Sequence, residues 1–505
     1  MPTDETPHGG SQCVTPRALE LFQSSQARLL KDTHSVCPQC LMEISAQVME
    51  RSGAVWMVKE CLAHGKFETR LETHPSRYYT SAGDRSAVGA SSDSCCGGGG
   101  CCGSAMNKGA AREGVSSPFD VLSTCVALIE IVDSCNLSCP TCFASSPLGA
   151  DGTVDCTPFS EFVQRVSSVL ERKGFIDILQ LSGGEPTIHP EFERILEWAL
   201  EQKQVGYVLI NTNLVRIDRD AAFRERLGAL RRERGKFELY AQFDGTQIEG
   251  QKELRGADLR ALRERAIDAA GSLGIPTTLA MTVTRATLPH IGTALAFGFT
   301  RPHVRGITLQ PVFVSGRIPT LASTGGLPLF RTNEFPISVG ELVESCVQQS
   351  NGVLSDADFT PLPCGDPNCH TIGYALRALG ELRGISRFID LSVLQGFLKN
   401  RIDYRIEDLA TCGCETEPLG LVLKEIESRV GSVGDAGKSL RLTPDMPFRI
   451  FIKPFMDAFS FDQDRIDRCC THVVRADGSL DSFCHYYLHG GKAGFEARMH
   501  AEQKR

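Results

Sequence analysis

The chain has 505 residues, a net charge of −8 and 42% hydrophobic residues, enough for more than one domain and an ample core. Its acids and bases are interspersed, which argues against a nucleic-acid binder, and no apolar run approaches the roughly 18–20 residues that span a bilayer. The polar start, Met1–Ser11, has no secretory signal pattern, so a cytosolic location is expected, open to peripheral membrane contact.

Disulfides are rare in a reducing compartment, so the 21 cysteines, most of them grouped, read as metal ligands or catalytic groups. The first group is Cys37-Pro-Gln-Cys40, followed on a predicted hairpin by Cys61-Leu-Ala-His64-Gly65. Cys37, Cys40 and Cys61 with His64 would make a tetrahedral zinc site. A cysteine from the Cys95–Cys102 run in place of His64 would make a rubredoxin-like mononuclear iron site, and spacing leaves both open. Ser81–Ser104 is rich in Gly, Ser and Cys, including Cys95, Cys96, Cys101 and Cys102, and reads as a linker or a metal-wrapping loop. Cys13, Cys125, Cys156 and Cys346 stand alone and take no role.

From Cys125 onward, strands alternate with helices. Strands are predicted over residues 126–132, 176–181, 207–210, 237–243, 277–283 and 307–312. Phe159, Phe162, Val163, Val166 and Leu170 follow a helical spacing, with Thr157 as N-cap. Polar or glycine-rich groups sit past successive strand ends: Cys135, Gly183–Pro186, Asn213 and Asp244. Six strands with intervening helices predict an α/β fold, a partial (β/α)6 barrel whose strand carboxyl ends form the active face. Farther on, a helix is expected over 374–382, another over 419–430, and a strand over 448–452. The expected division is a metal-binding module at 1–80, a linker at 81–120, the barrel core at 121–315 and a C-terminal region at 316–505.

Cys135-Asn-Leu-Ser-Cys139-Pro-Thr-Cys142 directly follows the first barrel strand. Three thiolates on one loop can hold three irons of a 4Fe–4S cube and leave the fourth open to a small molecule, unlike most electron-transfer clusters. A zinc knuckle is the plainer alternative. The cysteines of the last third, Cys364, Cys369, Cys412, Cys414, Cys469, Cys470 and Cys484, exceed ordinary core use. They read as ligands of one or two auxiliary 4Fe–4S clusters, with Cys364, Cys369, Cys412, Cys414, Cys470 and Cys484 as the expected set.

The C-x3-C-x2-C loop and Ser182-Gly183-Gly184-Glu185-Pro186 together resemble the radical S-adenosylmethionine (SAM) superfamily. The resemblance implies that Cys135, Cys139 and Cys142 bind the cluster and that its open iron binds SAM. It places Gly183, Gly184, Glu185 and Pro186 at the methionine end, and Asn213 and Asp244 at the methionine and ribose. Many members carry an aromatic residue where this chain has Thr141, and Phe143 follows instead.

Further matches narrow it. The Cys37/Cys40/Cys61-His64-Gly65 module, Gln242-Phe243-Asp244-Gly245, Leu254-Arg255-Gly256, Gln310-Pro311-Val312, Gly316-Arg317, Pro363-Cys364 and the Cys469–Cys484 segment resemble relatives of tetraether lipid synthase and class D pterin methylase. This implies a 5′-deoxyadenosyl radical, hydrogen abstraction and carbon–carbon bond formation, either coupling lipid chains or transferring one carbon to a heterocycle such as a pterin. The implied partners are SAM, a flavodoxin- or ferredoxin-like electron donor, and a lipid or small-molecule substrate. The alternative is a multi-cluster electron carrier without radical chemistry of its own.

Overall fold

The computed structural model describes residues 27–80, 124–148, 154–318, 336–362, 365–378, 381–387 and 446–492. The N-terminal module is a four-stranded antiparallel sheet, β1 Arg28–Val36, β2 Glu43–Arg51, β3 Ala54–Cys61 and β4 Gly65–Glu72, paired in chain order. Alternation along β2 and β3 sends Ala46, Val48, Val55 and Met57 to one face, where they form a small core.

The main body begins with β5 Val126–Val132, β6 Ile176–Gly183, β7 Val205–Thr212, β8 Phe237–Gln242, β9 Thr277–Val283 and β10 Val304–Pro311. All six expected strands are present and pair in parallel, in order. Helices Phe159–Lys173, Phe192–Glu201, Ala221–Arg234, Arg260–Ser272 and Ile291–Phe299 cross between them. Their apolar stripes meet the outer face of the sheet, where Ile129, Ile131, Phe162, Val166, Ile195 and Leu279 are fully buried. Thr157 does not cap the first of these helices. Pro158 holds the cap position, and the Thr157 hydroxyl instead donates to the Glu130 carbonyl at 3.3 Å.

The C-terminal region is part of the same sheet. After β11 Phe359–Pro361 come β12 Thr371–Ala378 and β13 Glu381–Gly384, an antiparallel hairpin where a helix was expected over 374–382. The large apolar side chains there serve the two strands of a hairpin, not one helical stripe. β14 Pro447–Ile452 pairs in parallel with β10, and β15 Thr471–Val474 pairs in parallel with β5 and antiparallel with β16 Leu480–Ser482. Eight parallel strands therefore run β14-β10-β9-β8-β7-β6-β5-β15. On a flat sheet the outer two would lie about 34 Å apart at the usual strand spacing of about 4.8 Å. Yet Lys453, just past β14, donates to the Thr471 hydroxyl of β15 at 3.3 Å. The sheet is thus curled almost into a closed barrel, with C-terminal strands on both sides of its seam. The expected helix over 419–430 lies outside the described residues.

The module docks on this C-terminal segment. Lys59 is 1% exposed and donates to Ser35 at 2.9 Å and to the Ala458 carbonyl at 2.6 Å. Thr33 donates to Asp462 at 2.8 Å, and Ser35 to the Phe461 carbonyl at 2.6 Å. A buried ammonium needs such acceptors to offset its desolvation. Among the described residues no helix is long and apolar enough to cross a membrane.

Candidate active site

The loop after β5 carries the three central thiols, all free and all partly exposed. The Cys135 sulfur accepts from the Leu137 amide at 3.3 Å and lies 3.8 Å from the Asn213 side-chain nitrogen. Burial pushes the Cys135 thiol up to about 12. Cys139 is also raised by burial, against the pull of Arg255, which hydrogen-bonds its sulfur. The loop is clamped from behind. The Arg317 amide donates to the Cys142 carbonyl at 2.9 Å, its guanidinium donates to the Cys139 carbonyl at 2.9 Å, and Thr141 donates to the Leu254 carbonyl at 3.0 Å. A Cβ on Gly316, which has φ +58°, would stand 2.2 Å from the Cys142 carbonyl oxygen, so only glycine fits.

The Gly183–Pro186 segment packs onto the same loop. Gly184 N donates to Val132 O at 2.8 Å and Glu185 N to Ser134 O at 3.1 Å. A Cβ on Gly183 or Gly184 would meet a carbonyl oxygen of Val132 or Ser134 at 2.0 Å. The resemblance placed these glycines at the methionine end of SAM. In the fold they permit close approach of two strand ends, which fixes the Cys135 loop beside the end of β6. Glu185 is buried and accepts from Thr187 at 2.6 Å, Thr212 at 2.8 Å and the Asn213 amide at 2.6 Å. Its carboxyl, raised by burial, thus pins the β7 end to the segment. Pro186 opens a short 3-10 turn. Asn213 stands over the loop, donating to Asn136 at 2.6 Å.

Asp244 was expected at the ribose, and the structure gives its carboxylate another role. It is fully buried, receives Arg255 through two bonds of 2.6 and 2.9 Å, and lies 3.1 Å from Arg263. Thr282 N and Gln242 complete its shell at 3.1 and 3.0 Å. Burial opposes ionisation, but the two arginines win and hold the carboxyl well below its ordinary range. Asp244 therefore positions Arg255, which reaches Cys139. Sequence reasoning noted Leu254-Arg255-Gly256 and gave it no role.

In the N-terminal module, Cys37, Cys40, Cys61 and His64 bring their ligand atoms within 4.8 Å of one another. His64 Nδ1 lies 3.5 Å from Cys37 and 3.4 Å from Cys61, and Cys40 lies 4.0 Å from Cys61. A tetrahedral zinc ion with ordinary Zn–S and Zn–N lengths spaces its ligand atoms by roughly 3.5–3.8 Å. The donor set fits such an ion. The hydrogen bond with His64 draws the Cys61 thiol down to about 6. Among the described residues this is the one group of three or more so tightly gathered. Cys135, Cys139 and Cys142 are spread wider, as a multi-iron cluster requires and a single ion does not.

Farther along, Cys369, Cys469, Cys470 and Cys484 surround Lys453 electrostatically, and Arg465 donates to the Cys369 sulfur at 3.4 Å. Burial pushes the Cys369 thiol up to about 11 and raises Cys469 and Cys484 too. The expected set named Cys470 and omitted Cys469. Cys470 is buried beside Gly365, whereas Cys469 interacts with Cys369 and Cys484. Cys364, Cys412, Cys414 and the Cys95–Cys102 run lie outside the described residues. Phe143 sits between the two thiol regions, its ring 4.8 Å from Tyr487 and 5.7 Å from Phe483.

Residues 129–293 match the model of the radical SAM superfamily, and residues 29–73 match the HMPTM N-terminal zinc ribbon domain. The chain is 24% identical, over an alignment of 499 positions, to 7,8-dihydro-6-hydroxymethylpterin dimethyltransferase of Methanocaldococcus jannaschii, covering 90% of this chain and 93% of that one. It is 29% identical over 145 residues to mycofactocin maturase MftC of Mycobacterium ulcerans, 29% of this chain and 36% of that one. Streptococcus suis SuiB bound to S-adenosylmethionine aligns with a TM-score of 0.32 and 14% identity, over 38% of this chain and 41% of that one. A 4Fe–4S cluster with SAM is the cofactor that such a domain carries, and a second metal site belongs to the ribbon ahead of it. Residues 129–293 are thus a radical SAM domain, and the protein is an enzyme of that class.

Proposed function

We propose that this enzyme transfers one-carbon units to a pterin-like heterocycle through carbon–carbon bond formation. The observation that carries the reading is extent: the similarity to the pterin dimethyltransferase spans 90% of this chain and 93% of that protein. Cys135, Cys139 and Cys142 are the ligands of the catalytic 4Fe–4S cluster, which with SAM supplies a 5′-deoxyadenosyl radical. Arg317 and Gly316 hold the loop's carbonyls in place, and Arg255 donates to Cys139. Asn213 and the backbone of Gly183–Pro186 present polar groups toward SAM; Glu185 acts by fixing that backbone.

Cys37, Cys40, Cys61 and His64 hold zinc, the choice supported by His64 at the fourth vertex. Cys369, Cys469 and Cys484, with Cys470 or Cys364 as a further ligand, hold an auxiliary 4Fe–4S cluster. Lys453 and Arg465 offset its negative charge. A flavodoxin- or ferredoxin-like protein is the electron donor.

The test uses anaerobically reconstituted enzyme, dithionite, SAM as radical source, a one-carbon donor (a second equivalent of SAM or, in a parallel arm, a methylene-tetrahydropterin) and 6-hydroxymethyl-7,8-dihydropterin, with products followed by mass spectrometry. Formation of 5′-deoxyadenosine together with a methylated pterin is expected. Replacing Cys135, Cys139 and Cys142 together by Ala removes about four irons and abolishes 5′-deoxyadenosine. A triple variant that still makes 5′-deoxyadenosine at the parent rate overturns the ligand assignment. A parent enzyme that cleaves SAM but leaves the pterin unchanged overturns the substrate.

A further inference from the structure

Glu130 lies in the middle of β5, in the run Val-Ala-Leu-Ile-Glu-Ile-Val. Its neighbours Ile129 and Ile131 are fully buried against the outer helices. Strand alternation therefore turns Glu130 to the concave face, the inside of the curled sheet. A carboxylate in an apolar strand is costly unless it is partnered. Its partners come from the other end of the chain: Tyr487 donates to one oxygen at 2.6 Å and Tyr486 to the other at 2.8 Å. No lysine or arginine pairs with it among the described residues, and Lys492 nearby is bound to Asp133.

An ionised carboxylate offers about four acceptor positions. The tyrosines take one on each oxygen, which leaves one on each. Burial raises the Glu130 carboxyl and the two tyrosine hydroxyls oppose that rise, while the residue as a whole is partly exposed on the concave face. Gln180 stands next to it. Leu128 pairs with Gln180 and Glu130 with Ser182, so Gln180 is the diagonal neighbour on the same face. It too is partly exposed. The site lies at the cluster-loop end, because the Tyr487 ring meets Phe143 edge-on at 4.8 Å and Phe143 follows Cys142.

We propose that Glu130, oriented by Tyr486 and Tyr487 and flanked by Gln180, binds the 2-amino-4-oxopyrimidine edge of the substrate heterocycle. This rests on the pterin reading above. That edge presents N3–H and the 2-amino group as two parallel donors, which match a carboxylate fork as a guanidinium does. Gln180 supplies a donor and an acceptor for the remaining polar atoms of the ring. The plainer role for the Tyr–Glu–Tyr contact is a clamp on the C-terminal helix Phe483–Leu488.

Exchanging the ligand edge separates the two roles. Binding of 6-hydroxymethylpterin and of 6-hydroxymethyllumazine, which has an oxo group in place of the 2-amino group, is measured by fluorescence titration of the anaerobic holoenzyme. The parent protein prefers the pterin. Glu130→Gln weakens pterin binding about tenfold or more, because a donor replaces one acceptor. The same variant gains relative affinity for the lumazine, whose N3–H and 2-oxo pair match a carboxamide. Thermal unfolding and iron content show whether each variant is folded, and a Tyr486→Phe, Tyr487→Phe variant serves as a second probe, expected to weaken pterin binding less than Glu130→Gln. An unchanged pterin-to-lumazine preference in folded Glu130→Gln overturns the inference and leaves the clamp. If the parent binds neither ring, the pterin reading falls, and this inference with it.

Discussion

Two cysteine-rich regions of this chain gather their thiols in opposite ways. The N-terminal group comes from two turns of one small sheet, Cys37 to His64, and its ligand atoms are already at single-ion spacing. One of its thiols is drawn down to about 6 by a hydrogen bond with the histidine. The C-terminal group joins residues a hundred or more positions apart, Cys369 with Cys469, Cys470 and Cys484, and burial raises the thiols of Cys369, Cys469 and Cys484. It compensates with cations: Lys453 and Arg465 stand among the sulfurs. The contrast suits a single dication in the first region and, in the second, the cluster proposed above. A dication neutralises a thiolate on its own, whereas a larger anionic cluster in a buried place needs positive charge from the protein.

The largest effect expected from this contrast is on iron. Replacing Cys369, Cys469 and Cys484 together by Ala lowers the reconstituted iron content by about four per chain, read by colorimetric iron assay and Mössbauer spectroscopy. The catalytic cluster's SAM-induced spectral change persists, because Cys135, Cys139 and Cys142 are untouched. An iron content equal to that of the parent would reduce the C-terminal group to core thiols and remove the contrast.

A smaller effect follows from the ribbon. Cys37→Ser with Cys61→Ser takes zinc from one per chain to none, by elemental analysis. It lowers the unfolding temperature of the module by roughly 10 °C, since a structural zinc site is folding energy. With dithionite as reductant, 5′-deoxyadenosine formation continues. The module docks through Lys59, Ser35 and Thr33 onto residues 458–462, three positions before Arg465. A partial loss of auxiliary iron in this variant would show that the two regions are coupled, which would sharpen the comparison.

How much of this was legible in the sequence depends on how local each feature is. All six central strands could be read, because β-branched runs between amphipathic helices repeat six times. The Cys135–Cys142 loop and the Gly183–Pro186 segment could be read for the same reason: each is short and continuous. The hairpin over 371–384 could not, since Tyr374, Leu376 and Leu382 fit either periodicity and only the pairing with β14 decides. The Asp244 carboxylate's partners, Arg255 and Arg263, could not be read because they approach through tertiary packing. Cys469 was left out of the expected set because nothing local distinguishes it from Cys470, and both face the same lysine, Lys453, electrostatically. Glu130 was passed over although it left a signal, a single charge at the centre of an otherwise apolar strand. Its tyrosines lie more than 350 residues away, beyond any local pattern.

The smallest effect is a matter of pH. Hydrogen bonding with His64 lowers Cys61 to about 6, so above that value it is a thiolate ready for a dication, and below it a proton competes with the metal. Metal-linked stability of the module is therefore present above about pH 6 and is lost as pH falls through it. Zinc release to a chromogenic chelator should be slow at pH 7.5 and several-fold faster at pH 5. His64→Ala removes the partner that depresses Cys61, so its release curve should move to higher pH. The C-terminal thiols sit on the other side of neutrality, with Cys369 at about 11, and gain nothing between pH 5 and 7.5 from their own titration. Iron release over that range should show no inflection near 6. Equal zinc release at both pH values would mean that the histidine does not set the thiolate, and the distinction drawn between the two regions would then rest on spacing alone.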